Sequence, residues 1–195
     1  MPKESKREEI RRQRRRERRR GYLPWGGLGL AVLALVGWLV FRSARPAAGE
    51  AVALMEPSHV PEGSDPGTYN TDPPTSGPHY ASEYEAGFYE EADLPGLAPF
   101  HEGYLVHNLE HGYVVFWYNC TVLASEACST LKEGIRKVMD QFEGRKLIAF
   151  PRASLTSPLV MTSWGRLQTF EAFDAAAAAD FIRRNRNRAP EPDAP

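Results

Sequence analysis

The sequence predicts an α+β domain preceded by one transmembrane helix. The domain is read as a small sheet with two flanking helices and a long Pro- and Tyr-rich wrap. Three observations carry this reading. An almost unbroken apolar run covers residues 22–41. Beyond it, strand-like segments at 104–118, 146–150 and 159–170 are interleaved with two helical patterns at 130–142 and 171–184, an order that suits a layered α+β domain. Between the run and the first strand, residues 55–103 are rich in Pro, Gly and aromatics and lack periodicity.

The apolar run comes first. A helix crosses a bilayer with roughly 20 apolar residues, and this run is just long enough, with Trp25 and Trp38 near its ends, where interfacial aromatics are favoured. The small residues between Ala44 and Gly49 also allow a cleaved signal peptide; an uncleaved anchor is the expectation. The first 20 residues hold 11 Lys and Arg against 4 Glu, a net +7, whereas only Arg42 and Arg45 follow the span closely. Basic flanks stay cytoplasmic. The expected arrangement is a cytoplasmic tail (1–21), a single-pass span (22–41) that partners the cell membrane, a linker (42–54), an extracytoplasmic domain (55–188) and a disordered tail (189–195).

Past residue 20, 13 basic residues face 21 acidic ones, about −8. That balance excludes nucleic-acid binding for the domain; the tail's charge is read as a topology signal, with nucleic-acid contact as its alternative. About 150 residues suffice for one real core. Cys120 and Cys128 fall in the external part, where an oxidising compartment favours a disulfide. A copper–thiolate site would need the pair reduced, and they lack Cys-x-x-Cys spacing. Asn119-Cys-Thr also fits the glycosylation pattern.

Within the domain, the wrap's aromatics (Tyr69, Tyr80, Tyr84, Phe88, Tyr89, Phe100) argue for an ordered segment. Residues 104–118 read as the most strand-like stretch. Thr130 is placed as a helix cap with Glu133 completing a capping box, Leu131, Ile135, Val138, Met139 and Phe142 form the apolar stripe, and Gly144 ends the helix. Pro151 stops the next strand, and Gly165 turns the chain within 159–170. In the last helix Phe173, Phe181 and Ile182 are the residues to bury.

Chemistry concentrates in three motifs: Pro-Ser-His-Val-Pro-Glu-Gly at 57–63, Asp-Pro-Pro-Thr-Ser-Gly-Pro-His-Tyr at 72–80, and His-Asn-Leu-Glu-His at 107–111. Pro73, Pro74 and Pro78 stiffen the second by fixing φ, which suits an imidazole that must be held in place. The spacing of His107 and His111 puts them on one face of a helix or a strand. His79, His107 and His111 are the expected ligands of a transition metal, copper or zinc. Glu110 or His59 would be a fourth ligand or an orienter. Two other readings stand beside this one: hydrogen-bonded histidines at a strand end, and acid–base catalysis without metal. His107-x-x-Glu110-His111 also matches the inverted zinc-protease pattern, with Glu110 as the base, although Gly112 and the β-branched, aromatic run after it are poor helix context. His101 is expected to be solvated in a loop.

Taken in order, His59-Val with Gly63, the 73–80 element, Leu-Val-His-Asn-Leu-Glu-His-Gly at 105–112 and Thr-Ser-Trp-Gly at 162–165 resemble a bacterial family known as domain of unknown function 3105. Ser163 stands where the family pattern has Ala. The resemblance spans roughly residues 55–185 and implies the domain limits and a single N-terminal anchor; it implies no activity. The functional expectation is therefore a membrane-anchored extracytoplasmic protein that binds copper or zinc. A non-catalytic cell-envelope interaction module and a metal-dependent hydrolase using Glu110 are its alternatives.

Overall fold

The structure, a computed structural model, describes residues 10–11, 28–38 and 46–193. It divides into two units, Met1–Arg45 and Pro46–Pro195. In the first, residues 28–38 are helical, and Leu28, Leu30, Leu33 and Leu35 are more than half exposed. Among the described residues no helix is long and apolar enough to cross a membrane; residues 22–27 and 39–41 of the expected span lie outside them.

The second unit is a mixed six-stranded sheet between two helical layers. Its strands are β1 (Glu50–Ala51), β2 (Gly87–Phe88), β3 (Val114–Tyr118), β4 (Leu147–Pro151), β5 (Leu159–Ser163) and β6 (Arg166–Phe170), in the spatial order β1-β6-β5-β3-β4-β2. Its helices are α1 (His101–Glu110), α2 (Ser125–Asp140) and α3 (Ala175–Asn185). β3 pairs parallel to β4, with Val114 opposite Leu147, and antiparallel to β5, with Phe116 opposite Met161. The parallel pair needs a crossover, which α2 supplies.

Every residue of Val-Val-Phe-Trp-Tyr in β3 is buried because both faces of the sheet are covered. Val114, Phe116 and Tyr118 join Leu131, Ile135 and Val138 of α2 and Ala178, Phe181 and Ile182 of α3. Val115 and Trp117 join Leu105 and Leu109 of α1 with Tyr80 and Tyr84 of the wrap. The buried indole N–H of Trp117 donates to Thr162 Oγ1 at 2.8 Å.

Several expectations change. The helices against the sheet number three rather than two, because residues 104–110 of the supposed strand, with 101–103 of the wrap, are α1. All residues from Gly103 to Glu110 are buried, between the sheet and the wrap, so no polar face marks a helical period. His101 opens this helix half-buried, its Nδ1 2.9 Å from the Tyr84 hydroxyl, rather than solvated. Helix α2 starts five residues before Thr130, whose hydroxyl donates to Glu126 O within the helix. Helix α3 starts at Ala175, capped by the Asp174 carboxylate, which accepts from the N–H groups of Ala176 and Ala177.

The stretch expected to be a linker belongs to the fold from Pro46 onward. Ala48 exchanges two hydrogen bonds with the Asn185 side chain, and β1 pairs with β6. The expected disordered tail is tied down within its described part, where Glu191 N–H donates to Glu110 O. Cys120 and Cys128 form a disulfide that joins the end of the β3 region to the first turn of α2.

Candidate metal centre

The wrap folds back on α1 and brings the three histidine motifs together. A short parallel bridge joins His59 to His79: Val60 N–H donates to His79 O at 2.8 Å, and His79 N–H donates to Ser58 O at 3.0 Å. Tyr80 N–H then donates to Gly103 O, docking this ladder on the first turn of α1. The Pro-Pro-Thr-Ser-Gly stretch at 73–77 is buried, and Thr75 O accepts from Gly165 N–H, so the fourth motif buttresses the second. Gly77 has φ +122°, and a Cβ there would press on Tyr69 at 3.2 Å, which accounts for glycine at that turn.

Four imidazoles result in one cluster. Ring centroids lie 4.9 Å apart for His59–His79, 5.3 Å for His79–His107, 5.6 Å for His59–His107 and 4.2 Å for His107–His111. His59, His79, His107 and Glu110 each present a ligand atom within 4.8 Å of the others. Neighbouring ligands of one tetrahedral zinc-like ion sit roughly 3.3 Å apart, given bonds of about 2.0–2.1 Å, so this set closes on an ion with modest shifts. Glu83, His107 and His111 make a second set within the same limit. Glu91 lies near Cys120 and Cys128, but both sulfurs are committed to the disulfide.

The protonation of His79 follows from its neighbours. Nδ1 lies 2.8 Å from Gly77 O, and a carbonyl can only accept, so Nδ1 carries the proton. Nε2 lies 2.9 Å from Glu110 Oε2. The distance is that of an ion pair, yet the alignment is not that of a hydrogen bond, and Nε2 has no hydrogen-bond partner. Two lone pairs at that separation repel unless a proton or a metal cation sits with them. His107 Nδ1 is likewise buried without a partner. Buried polar atoms left unpaired in this way are a sign of a ligand or a strained site.

Burial, above all, holds His107 well below the usual imidazole range, to about 4; His111, His79 and His59 push it the same way. It is therefore neutral at neutral pH, the form that binds metal. Unfolded, it titrates near 6.5. Between those values the unfolded chain binds more protons, so stability is lost as pH falls from 6.5 towards 4. The His107→Ala variant is expected to show a flatter acid limb across that window, measured as urea midpoints. An unchanged slope would assign the limb to other groups.

Of the sequence-predicted residues, His79 and His107 lie together, 5.3 Å between ring centroids. His59 and Glu110 join them, whereas His111 belongs with Glu83, which lies 3.0 Å from its Nδ1. Nothing in the sequence marks Glu83 or Glu191, the two carboxylates beside His111; only the docking of the wrap and of the C-terminal segment brings them there. His107 and Glu110 lie on α1, but His111 is its C-cap, so the motif runs past the helix on which the inverted protease pattern lies, and Glu110 engages His79.

No curated protein and no solved structure matches the chain. A family model described as a protein of unknown function matches residues 59–195, which include every residue of both candidate metal sets, and the chain belongs to that family, DUF3105.

Proposed function

We propose that the protein is a membrane-anchored, extracytoplasmic metal-binding protein whose His59, His79, His107 and Glu110 take up copper or zinc. One observation carries the metal reading: the bare Nε2 of His79 against the Glu110 carboxylate at 2.9 Å, a contact that calls for a positive charge. Three imidazoles and one carboxylate are a donor set that suits zinc or copper(II). The anchor reading is supported by the basic first 20 residues, the apolar run at 22–41 and the exposed leucines of helix 28–38. That charge asymmetry supports a cytoplasmic N-terminus.

The test uses the full chain in detergent, loaded with Cu(II) or Zn(II), desalted and assayed by elemental analysis. One equivalent is expected to stay bound, and to be lost in the His79→Ala, His107→Ala double variant. Metal retained by that variant would dismiss this donor set.

Two further readings have specific support. The spacing of His107-x-x-Glu110-His111 at the end of α1 supports a metal-dependent hydrolase with Glu110 as base. A Glu110→Gln variant that keeps metal but loses hydrolysis would single it out. An apolar groove of about 640 Å³, lined by Leu123, Leu131, Pro158 and Phe173 on the opposite side of the sheet from the histidines, favours a cell-envelope interaction module. In that case partner recovery is expected to survive chelation.

A further inference from the structure

The geometry points to a second position for the same metal, formed by Glu83, His107 and His111, and occupied in alternation with the first. This rests on the metal-binding reading above. Three observations carry it. Glu83, His107 and His111 bring ligand atoms within 4.8 Å of one another. Carboxylates face both nitrogens of His111: Glu83 lies 3.0 Å from Nδ1 and Glu191 3.6 Å from Nε2. His107, which both sets share, buries its Nδ1 without a partner.

Glu191 is held there by the backbone. Its N–H donates to Glu110 O at 3.1 Å, Asn187 N–H donates to Gly112 O at 2.9 Å, and Lys146 Nζ donates to both His111 O and Pro192 O. The C-terminal segment is thus fastened to the end of α1, and to the residue that carries the first set's carboxylate. Two imidazoles with one carboxylate suit a divalent first-row ion, Zn(II) or Cu(II), rather than the softer Cu(I).

Both sets draw on His107, so an ion in one removes a ligand from the other. A single ion that keeps His107 can therefore move between the His59 side and the His111 side by exchanging its remaining ligands. Such a pair of positions serves capture and hand-over of metal rather than permanent storage.

The full chain in detergent, given half an equivalent of Cu(II), is examined by electron paramagnetic resonance. Two Cu(II) signals are expected, with a total capacity near one equivalent. The Glu83→Gln, His111→Phe variant should lose one signal and His59→Ala the other. Glu191→Gln, at an exposed carboxylate where misfolding is not a concern, should shift the ratio of the two. One signal that all these variants leave unchanged overturns the proposal, as does a capacity of two equivalents. Absence of any bound Cu(II) or Zn(II) in the parent chain is a different result, and rejects the metal-binding function itself.

Discussion

Metal-free His107→Ala protein is expected to unfold within about 1 kcal/mol of the parent chain, while its stabilisation by Cu(II) or Zn(II) disappears. The first half follows from the accounting of hydrogen bonds. His107 Nδ1 is buried with no partner. Removing it relieves an unpaired polar atom, worth about 1–3 kcal/mol, which offsets the packing lost with the ring. The second half follows from linkage. An ion present at 100 times its dissociation constant stabilises the fold by about 2.7 kcal/mol, and in a domain of this size that raises the unfolding midpoint by roughly 5–10 °C. Circular-dichroism melts with and without metal measure both. If His107 were instead a structural hydrogen-bonder, its removal would cost more than 2 kcal/mol without metal (of the order of a buried hydrogen-bonded pair). That outcome, or a metal-induced shift that persists in the variant, would reject the role assigned to it.

The second large effect lies one helical turn away. A Cβ at Gly103 would stand 2.3 Å from Cε2 of Tyr80 and 2.6 Å from its Cδ2. The Tyr80 ring cannot retreat: it is fully buried, packs against Tyr104 at 4.7 Å between centroids, and its hydroxyl donates to Ser64 O. Gly103→Ala is therefore expected to destabilise the domain by about 3 kcal/mol, the upper part of the range for overpacking. It should also weaken metal binding at least tenfold, because Tyr80 follows His79 directly and its N–H is the bond that docks the wrap on α1. Urea unfolding and metal titration read the two effects separately. A variant as stable as the parent, with unchanged affinity, would show that the Gly103–Tyr80 contact does not position His79.

These two residues also show how far the sequence could be read. The strands at 147–151, 159–163 and 166–170 and the turn at Gly165 follow from short β-prone runs and from Pro and Gly stops that are local in the chain. The stripe of α2 is legible because one of its faces meets water. Helix α1 is not, since the wrap covers what would be its polar side; a helix buried all round looks like any other apolar run. The site divides in the same way. The stiff loop before His79 and the paired histidines at 107 and 111 stand out as motifs. The exchange of His111 for His59 in the principal set does not, because it depends on a backbone ladder between residues 20 apart. Glu83 and Glu191 arrive from 28 residues before His111 and 80 after it. Distances in space of that kind have no signature in spacing.

The edge of the sheet has a consequence for how the chain matures. β1 finds its partner in β6, and Ala48 finds its own in Asn185, 137 residues later. A ribosome delivers the beginning long before the end, so the opening strand must wait unpaired while nearly all of the domain is made. Closure of so long a loop is slow. A chain cut short before α3 leaves Ala48 without Asn185 and the core around Val114, Phe116 and Tyr118 without Phe181 and Ile182, a target for proteases or for neighbouring chains. The final segment thus works as a seal, and only a complete copy is protected by it.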